Sequence, residues 1–508
     1  MTVLLGDSLT FEDVAAVAAG ERVDLSPRLA DAMAPARAVV DAAVDGEHAV
    51  YGITTGIGDL ANVRIEPKDA TLLQRDLVRS HATAVGDPLD EEVVRAMMLL
   101  KARTFCFGYS GVRFELVDQF ARFLNARIHP VVPAQGSLGA SGDLAPLAHL
   151  AQPLMGEGLV TYEGRTIEAG EALRAAGIEP LELSYKEGLS LINGTEMMLA
   201  LGILTLLGAE KLARSADVTA AMTLEACLGT DRAFDPDLIN ARKHRGAHDA
   251  AANLRSLLAK SEIVASHRDS EHLVQDAYSL RCTPQVHGAY RDGFAYVRSI
   301  LEAELASAID NPTVLAQRGE VLSGGNFHGE SLAVALDHLG LCMAGFATIA
   351  ERRVARLVDP DLNNGLPAFL TTDPGRRSGF MLPQYTAASL VSENRSLCWP
   401  ASSDSIPTSA GQEDHVSMGA TSARKARAIL ANTERVIAIE ALGATQGLDL
   451  RAPLEPAPAT NAVRRAVREV SPYLDEDRSL APEIERVAGE IRTGALAAAA
   501  EAAGISLL

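Results

Sequence analysis

The sequence predicts a mainly α-helical chain: a central bundle of long helices with a smaller N-terminal region of helices and loops. Three observations carry this. Residues 197–228, 330–357 and 422–446 each run longer than an ordinary globular helix, with few breakers. Their Ala, Gly and Leu side chains occupy more than one face, and a helix apolar on several faces must be covered on several sides. The strand signal is confined to Val160-Thr161-Tyr162-Glu163-Gly164-Arg165, which reads as a two-stranded hairpin. The organisation expected is an N-terminal region over 1–195 and a long-helix bundle with a C-terminal helical region over 196–508, with no linker between them.

Each element has its local reason. Residues 1–50 read as short helices, one started by Ser26-Pro27 and followed by Gly46. Tyr51-Gly52-Ile53-Thr54-Thr55-Gly56-Ile57-Gly58 reads as a mobile glycine-rich loop; its Gly-x-Gly lacks the βαβ setting of a dinucleotide site. Residues 69–128 read as helices, with Asp90-Glu91-Glu92 placing acid at one N-terminus, as the helix dipole favours. Phe120, Phe123 and Leu124 have core spacing. Residues 480–503 form an alanine-rich helical tail.

Composition bounds the function. The 508 residues are 47% hydrophobic and 22% charged, enough to bury a large core. A net charge of -20, from 46 basic and 66 acidic residues, argues against nucleic acid or an anionic membrane as partner. No stretch reads as long and apolar enough to span a bilayer. The N-terminal Met1-Thr2-Val3-Leu4-Leu5 lacks the basic start of a secretory signal. Cys106, Cys227, Cys282, Cys342 and Cys398 are odd in number and widely spread; they read as free thiols in a reducing cytoplasm. No C-x-x-C or H-E-x-x-H pattern points to a metal.

The chemistry centres on Gly136-Ser137-Leu138-Gly139-Ala140-Ser141-Gly142-Asp143-Leu144-Ala145-Pro146. All side chains from Gly136 to Gly142 are tiny except Leu138. Such a run lets backbone atoms approach closely. Asp143 or Ser141 is placed to cap the helix that follows, with Pro146 in its first turn. The run is neither a serine-hydrolase elbow nor a phosphate loop.

Ala140-Ser141-Gly142 in this setting resembles the histidine/phenylalanine/tyrosine ammonia-lyase family, and further blocks match in family order over roughly residues 50–450. The resemblance implies that the tripeptide cyclises into a 4-methylideneimidazol-5-one (MIO), an electrophile carried by the N-terminal region, with no external cofactor and no metal. Gly142 nitrogen attacks the Ala140 carbonyl, and Ser141 loses its hydroxyl. It further implies that Tyr51 removes the substrate β-proton. Such a phenol needs nearby positive charge or donors. Arg281, in Gln275-Asp276-Ala277-Tyr278-Ser279-Leu280-Arg281, matches the arginine that binds the substrate carboxylate, a role suited to its planar fork. Gln275 and Tyr278 match residues that line the site, Asn193 one that orients electrophile and substrate, and Phe327 an aromatic over the prosthetic ring. Ser80-His81 and Glu413 match the histidine branch; a carboxylate suits an imidazole N–H and not a phenyl ring.

The resemblance therefore implies a homotetramer with shared sites, acting on L-histidine to give trans-urocanate and ammonia. An aromatic ammonia-lyase or a 2,3-aminomutase on the same scaffold is the alternative, since some tyrosine aminomutases also carry Ser-His. A helical scaffold whose loop never cyclises is a third reading. Thr54, Ile57, Phe107-Gly108-Tyr109 and Trp399 depart from the expected pattern and bear on fine specificity.

Overall fold

The computed structural model describes residues 2–44, 46, 49–60, 62–270 and 274–508. Helices dominate, as expected from the breaker-poor apolar runs. The three long ones are Glu196–Ala226, Glu330–Val358 and Gly419–Asp449, and a fourth, Thr283–Leu305, was not foreseen. The region 69–128 resolves into Pro67–His81, Glu91–Cys106 and Phe114–Ala126. The alanine-rich tail is two helices, Ala481–Thr493 and Ala495–Glu501, broken at Gly494, where φ is +88°. Glycine alone adopts that conformation without strain.

The hairpin forms as read: Leu159–Tyr162 pairs antiparallel with Arg165–Glu168, Tyr162 opposite Arg165. Residues 1–50 hold more than short helices. Thr2–Leu5 pairs in parallel with Arg22–Leu25, with the helix Phe11–Ala18 between them in sequence. The alternation of buried Val3 and Leu5 with exposed Thr2 and Leu4 is the strand period, too short to stand out from the sequence.

The chain forms two compact units. The first comprises 1–204, 299–337 and 400–424; the second comprises 205–298, 338–399 and 425–508. In the first unit Ala36, Val40, Val44, Ile53 and Val314 form one core cluster, and Ala140, Val416 and Met418 another. In the second, several buried charges pair between helices. Glu440 accepts from Thr219 Oγ1 at 2.8 Å and Thr223 Oγ1 at 3.0 Å and pairs with Arg353. Asp217 accepts from His287, Arg291 and Asn253.

One sequence expectation is corrected. The helix Glu330–Val358 is long and apolar enough to cross a bilayer by composition, its most apolar window reaching a mean hydropathy of 1.7. That window is 61% buried within the chain, so the apolarity is explained by packing on several sides. None of the five cysteines is in a disulfide.

Candidate active site

The first unit contains the Ala-Ser-Gly loop, Tyr51, His81, Asn193, Phe327 and Glu413; Gln275, Tyr278 and Arg281 belong to the second unit.

The loop is gripped by backbone and small polar groups. Asp143 N–H donates to the Gly194 carbonyl at 2.7 Å, and Gly194 N–H donates to the Ser141 carbonyl at 3.3 Å. Ser141 Oγ donates to Asn193 Oδ1 at 2.7 Å. Gly142 has φ of +76°, and a Cβ there would collide with the Gly194 backbone. From another direction, Met418 N–H donates to the Leu138 carbonyl at 2.8 Å and Ser417 Oγ to the Gly139 carbonyl at 3.1 Å.

Asp143 does not cap its own helix, Leu144–Ala151, with its side chain. Its carboxylate turns to the start of the helix Glu196–Ala226, accepting from Met197 and Met198 N–H, each at 3.0 Å, and from Ser137 Oγ at 2.9 Å. Complete burial pushes this carboxyl up to about 7, against the pull of those donors. The sequence signal was a capping acid; the helix it serves begins some fifty residues later.

Asn193 is oriented from behind. Its Nδ2 donates to Asp310 Oδ1 at 3.2 Å and to the Asn311 carbonyl at 3.1 Å, which leaves Oδ1 for Ser141. Asp310 also accepts from Lys186 Nζ at 2.7 Å and Ser190 Oγ at 2.8 Å. Burial alone would raise the Asp310 carboxyl, but the Lys186 ammonium outweighs it and holds the group below its usual value. Lys101 Nζ, also fully buried, donates to the carbonyls of Asn193 at 2.6 Å and Ser190 at 3.0 Å and pairs with Glu196 at 2.9 Å. Sequence reasoning missed Lys101, Lys186 and Asp310. The available signal was a lysine inside the apolar run Met97-Met98-Leu99-Leu100-Lys101-Ala102.

Tyr51 is half-buried, and its phenol oxygen accepts from Gly58 N–H at 3.1 Å. Gln74 holds this loop to the helix Glu187–Ile192: Nε2 donates to the Gly52 carbonyl at 3.5 Å and Oε1 accepts from Leu189 N–H at 3.1 Å. Gln74 shares the helix Pro67–His81 with His81, whose Nδ1 donates to the Leu77 carbonyl at 2.9 Å. A carbonyl only accepts, so the proton sits on Nδ1 and Nε2 is the unprotonated nitrogen of the neutral ring. Burial lowers the affinity of His81 for its second proton; the Leu77 carbonyl and the nearby Glu413 carboxylate oppose that.

Glu413 is held by a local bridge. Thr408 Oγ1 donates to its Oε2 at 2.8 Å, and Thr408 and Glu413 pair through their backbones. The next residue of this loop, Ser409, lies against Gly58 of the Tyr51 loop. Phe327 is half-buried in a loop whose His328 ring stacks on His415 at 5.9 Å between centroids.

In the second unit, Tyr278 is 71% exposed and Gln275 is exposed. The Arg281 guanidinium lies 4.7 Å from the Tyr278 ring centroid, and its buried Nε has no hydrogen-bond partner. Among the described residues no carboxylate pairs with Arg281. Among the described residues no group of three His, Cys, Asp or Glu side chains is arranged to hold a metal ion.

Comparison with known proteins extends this geometry. The family model for aromatic amino acid lyases matches residues 9–469. The chain is 51% identical to a histidine ammonia-lyase of Koribacter versatilis, over 98% of this chain and 99% of that protein. It superposes on the crystal structure of histidine ammonia-lyase from Trypanosoma cruzi with a TM-score of 0.91 at 43% identity, covering 99% and 96% of the two chains. Tyrosine aminomutase from Streptomyces globisporus gives a TM-score of 0.95 at 37% identity, covering all of both chains.

Proposed function

Because the chain belongs to the aromatic amino acid lyase family, we propose that it eliminates ammonia from L-histidine to give trans-urocanate. The observation that carries the substrate choice is His81 under the influence of the Glu413 carboxylate. His81 offers its unprotonated Nε2 as an acceptor and Glu413 a second acceptor. Two acceptors suit a ring bearing N–H donors. An imidazolium has two, a tyrosine hydroxyl one and a phenyl ring none. A site built on polar groups rejects ligands that leave them buried and unpaired.

The surroundings of Ala140-Ser141-Gly142 fit an MIO group. The bend at Gly142 leaves no room for a side chain, and Asn193 accepts from the hydroxyl that must leave. Formed there, the group would supply an electrophile that activates the substrate, through its amine or its imidazole ring, for loss of ammonia. The remaining work falls to side chains. Tyr51, its phenol oxygen directed by Gly58 N–H, takes the β-proton. Arg281, whose buried Nε has no partner of its own, binds the carboxylate through its planar guanidinium. Asn193 holds its amide toward electrophile and substrate through Asp310. Phe327 closes over the ring, while Gln275 and Tyr278 line the pocket. The exposure of Gln275 and Tyr278 in the chain on its own supports a homotetramer with sites completed between subunits. Free thiols support a reducing cytoplasm as the working compartment.

The test is kcat/KM for L-histidine, L-tyrosine and L-phenylalanine in wild type, Glu413→Gln and His81→Leu, with product identification. Histidine preference, urocanate as product and marked loss in both variants are expected. A preference for tyrosine or phenylalanine refutes the substrate, and a β-amino acid product favours the aminomutase reading.

A further inference from the structure

We propose that Lys101 is a positioning residue for formation of the electrophile, acting through the Asn193–Gly194 peptide. The inference rests on the reading of Ala140-Ser141-Gly142 as the tripeptide that cyclises.

The argument starts from a rigid plane. The Asn193 carbonyl and the Gly194 N–H belong to one peptide unit, so fixing the first fixes the second. Lys101 Nζ holds that carbonyl at 2.6 Å, its shortest contact. The Gly194 N–H then meets the Ser141 carbonyl at 3.3 Å. A donor on a peptide carbonyl polarises the whole unit, which strengthens the N–H at its other end. The Ser141 carbonyl in turn shares a peptide with Gly142 nitrogen, the attacking atom. Lys101 thus sets the plane of the nucleophile through two peptides.

The same ammonium works from the other side of the clamp. It pairs with Glu196, the first residue of the helix whose Met197 and Met198 N–H groups hold Asp143. Glu196 Oε2 is buried without a hydrogen-bond partner and faces the Cα of Gly194, where a Cβ would touch it. Lysine suits this place because its three donors radiate from one point. They are met by three acceptors on Asn193, Ser190 and Glu196.

Cyclisation joins Gly142 nitrogen to the Ala140 carbonyl carbon. The Ala140 oxygen leaves as water with the amide protons of Gly142 and Ser141. The Ser141 hydroxyl leaves with the Ser141 α-proton as a second water. No oxidant or co-reactant enters, and the product is lighter by two waters.

Lys101→Met alone would strand a buried carboxylate and destabilise for that reason. The test therefore uses Lys101→Met/Glu196→Met, in which both charges go and Thr104 Oγ1 keeps the Leu100 carbonyl as acceptor. Lys101→Arg is the second variant, keeping the charge while its fork no longer converges on three acceptors. Each is followed by thermal unfolding, intact mass, kcat and KM. The expected result is folded protein, part of it retaining the two waters. kcat should fall by about 10²-fold, the scale of an ångström's misplacement, with KM little changed in the molecules that cyclise. A folded variant of either kind with the full two-water deficit and wild-type kcat overturns the proposal. Failure of both variants to fold also overturns it, making Lys101 a stability residue. Wild-type protein without the deficit refutes the tripeptide reading itself, a separate failure.

Discussion

Gly142→Ala tests the site at its tightest point. The added Cβ would lie 2.8 Å from Gly194 Cα and closer still to the Gly194 carbonyl carbon and oxygen. Ordinary van der Waals contact starts at 3.4 Å, so Cα alone demands a shift of about 0.6 Å and the oxygen more. Every opposing atom is backbone, so no side-chain rotation relieves the clash. The φ of +76° adds its own strain for a residue with a Cβ, about 1–2 kcal/mol. Overpacking of this kind costs roughly 1–3 kcal/mol more. The protein should stay folded, because a two-unit chain of this size loses only part of its margin. The loop, however, must move away from Gly194, breaking the Asp143 N–H to Gly194 contact of 2.7 Å. Gly142 nitrogen then misses the Ala140 carbonyl by a distance that costs about 10²-fold or more in rate. Intact mass reports the retained waters, and turnover should fall toward that of Ser141→Ala, which has no hydroxyl to lose. A fully cyclised Gly142→Ala protein with wild-type kcat would show that the close approach to Gly194 has no bearing on electrophile formation.

Three further outcomes follow from the geometry. Tyr51→Phe removes the group that accepts from Gly58; kcat should fall by about 10²–10⁴-fold, and a near-normal rate reduces Tyr51 to packing. Arg281→Lys keeps the charge and loses the fork, so KM and the inhibition constant of product should both rise; unchanged values in a steady-state assay move the carboxylate site elsewhere. Glu225 concerns stability: burial pushes its carboxyl up to about 7 from 4.5. Between those values the folded state holds a proton that the unfolded state has lost, so this group's contribution to stability falls as pH rises through the window. Glu225→Gln should lack that fall, and its unfolding temperature relative to wild type should climb from pH 5 to pH 8; a constant difference refutes the shift.

The long helices were legible because composition alone distinguishes them: Glu196–Ala226 and Gly419–Asp449 are poor in breakers and rich in small apolar residues. Thr283–Leu305 was hidden by its own packing. Gly288 lies back to back with Gly246 of the helix Arg245–Leu258, so close that a Cβ on either would strike backbone of the other. In the sequence such a glycine reads as a break; in the structure it is the condition for the crossing. The parallel pair Thr2–Leu5 and Arg22–Leu25 was hidden for another reason, since four-residue strands carry too few alternations to separate from short helices.

At the site, the residue types proposed to meet substrate stood out as blocks, because small residues and a lone carboxylate are conspicuous in a linear reading. The groups that hold them were not, since a buried charge acquires meaning only with its partner. Asp143 finds Met197 and Met198, Asn193 finds Asp310, and Lys186 finds the same Asp310 more than a hundred residues away. Read alone, each acid or lysine is a solvated surface residue. Brought together they form a buried polar network, whose desolvation makes it a poor source of net stability. Its value lies in geometry: each donor and acceptor leaves its neighbour one direction to face. The Asn193–Gly194 peptide is where these constraints meet, with Lys101 on its carbonyl, Ser141 on its N–H and Asp143 on the next carbonyl. A loop of tiny residues has many conformations of its own, and such a frame selects the bent one in which Gly142 lies against the Gly194 backbone.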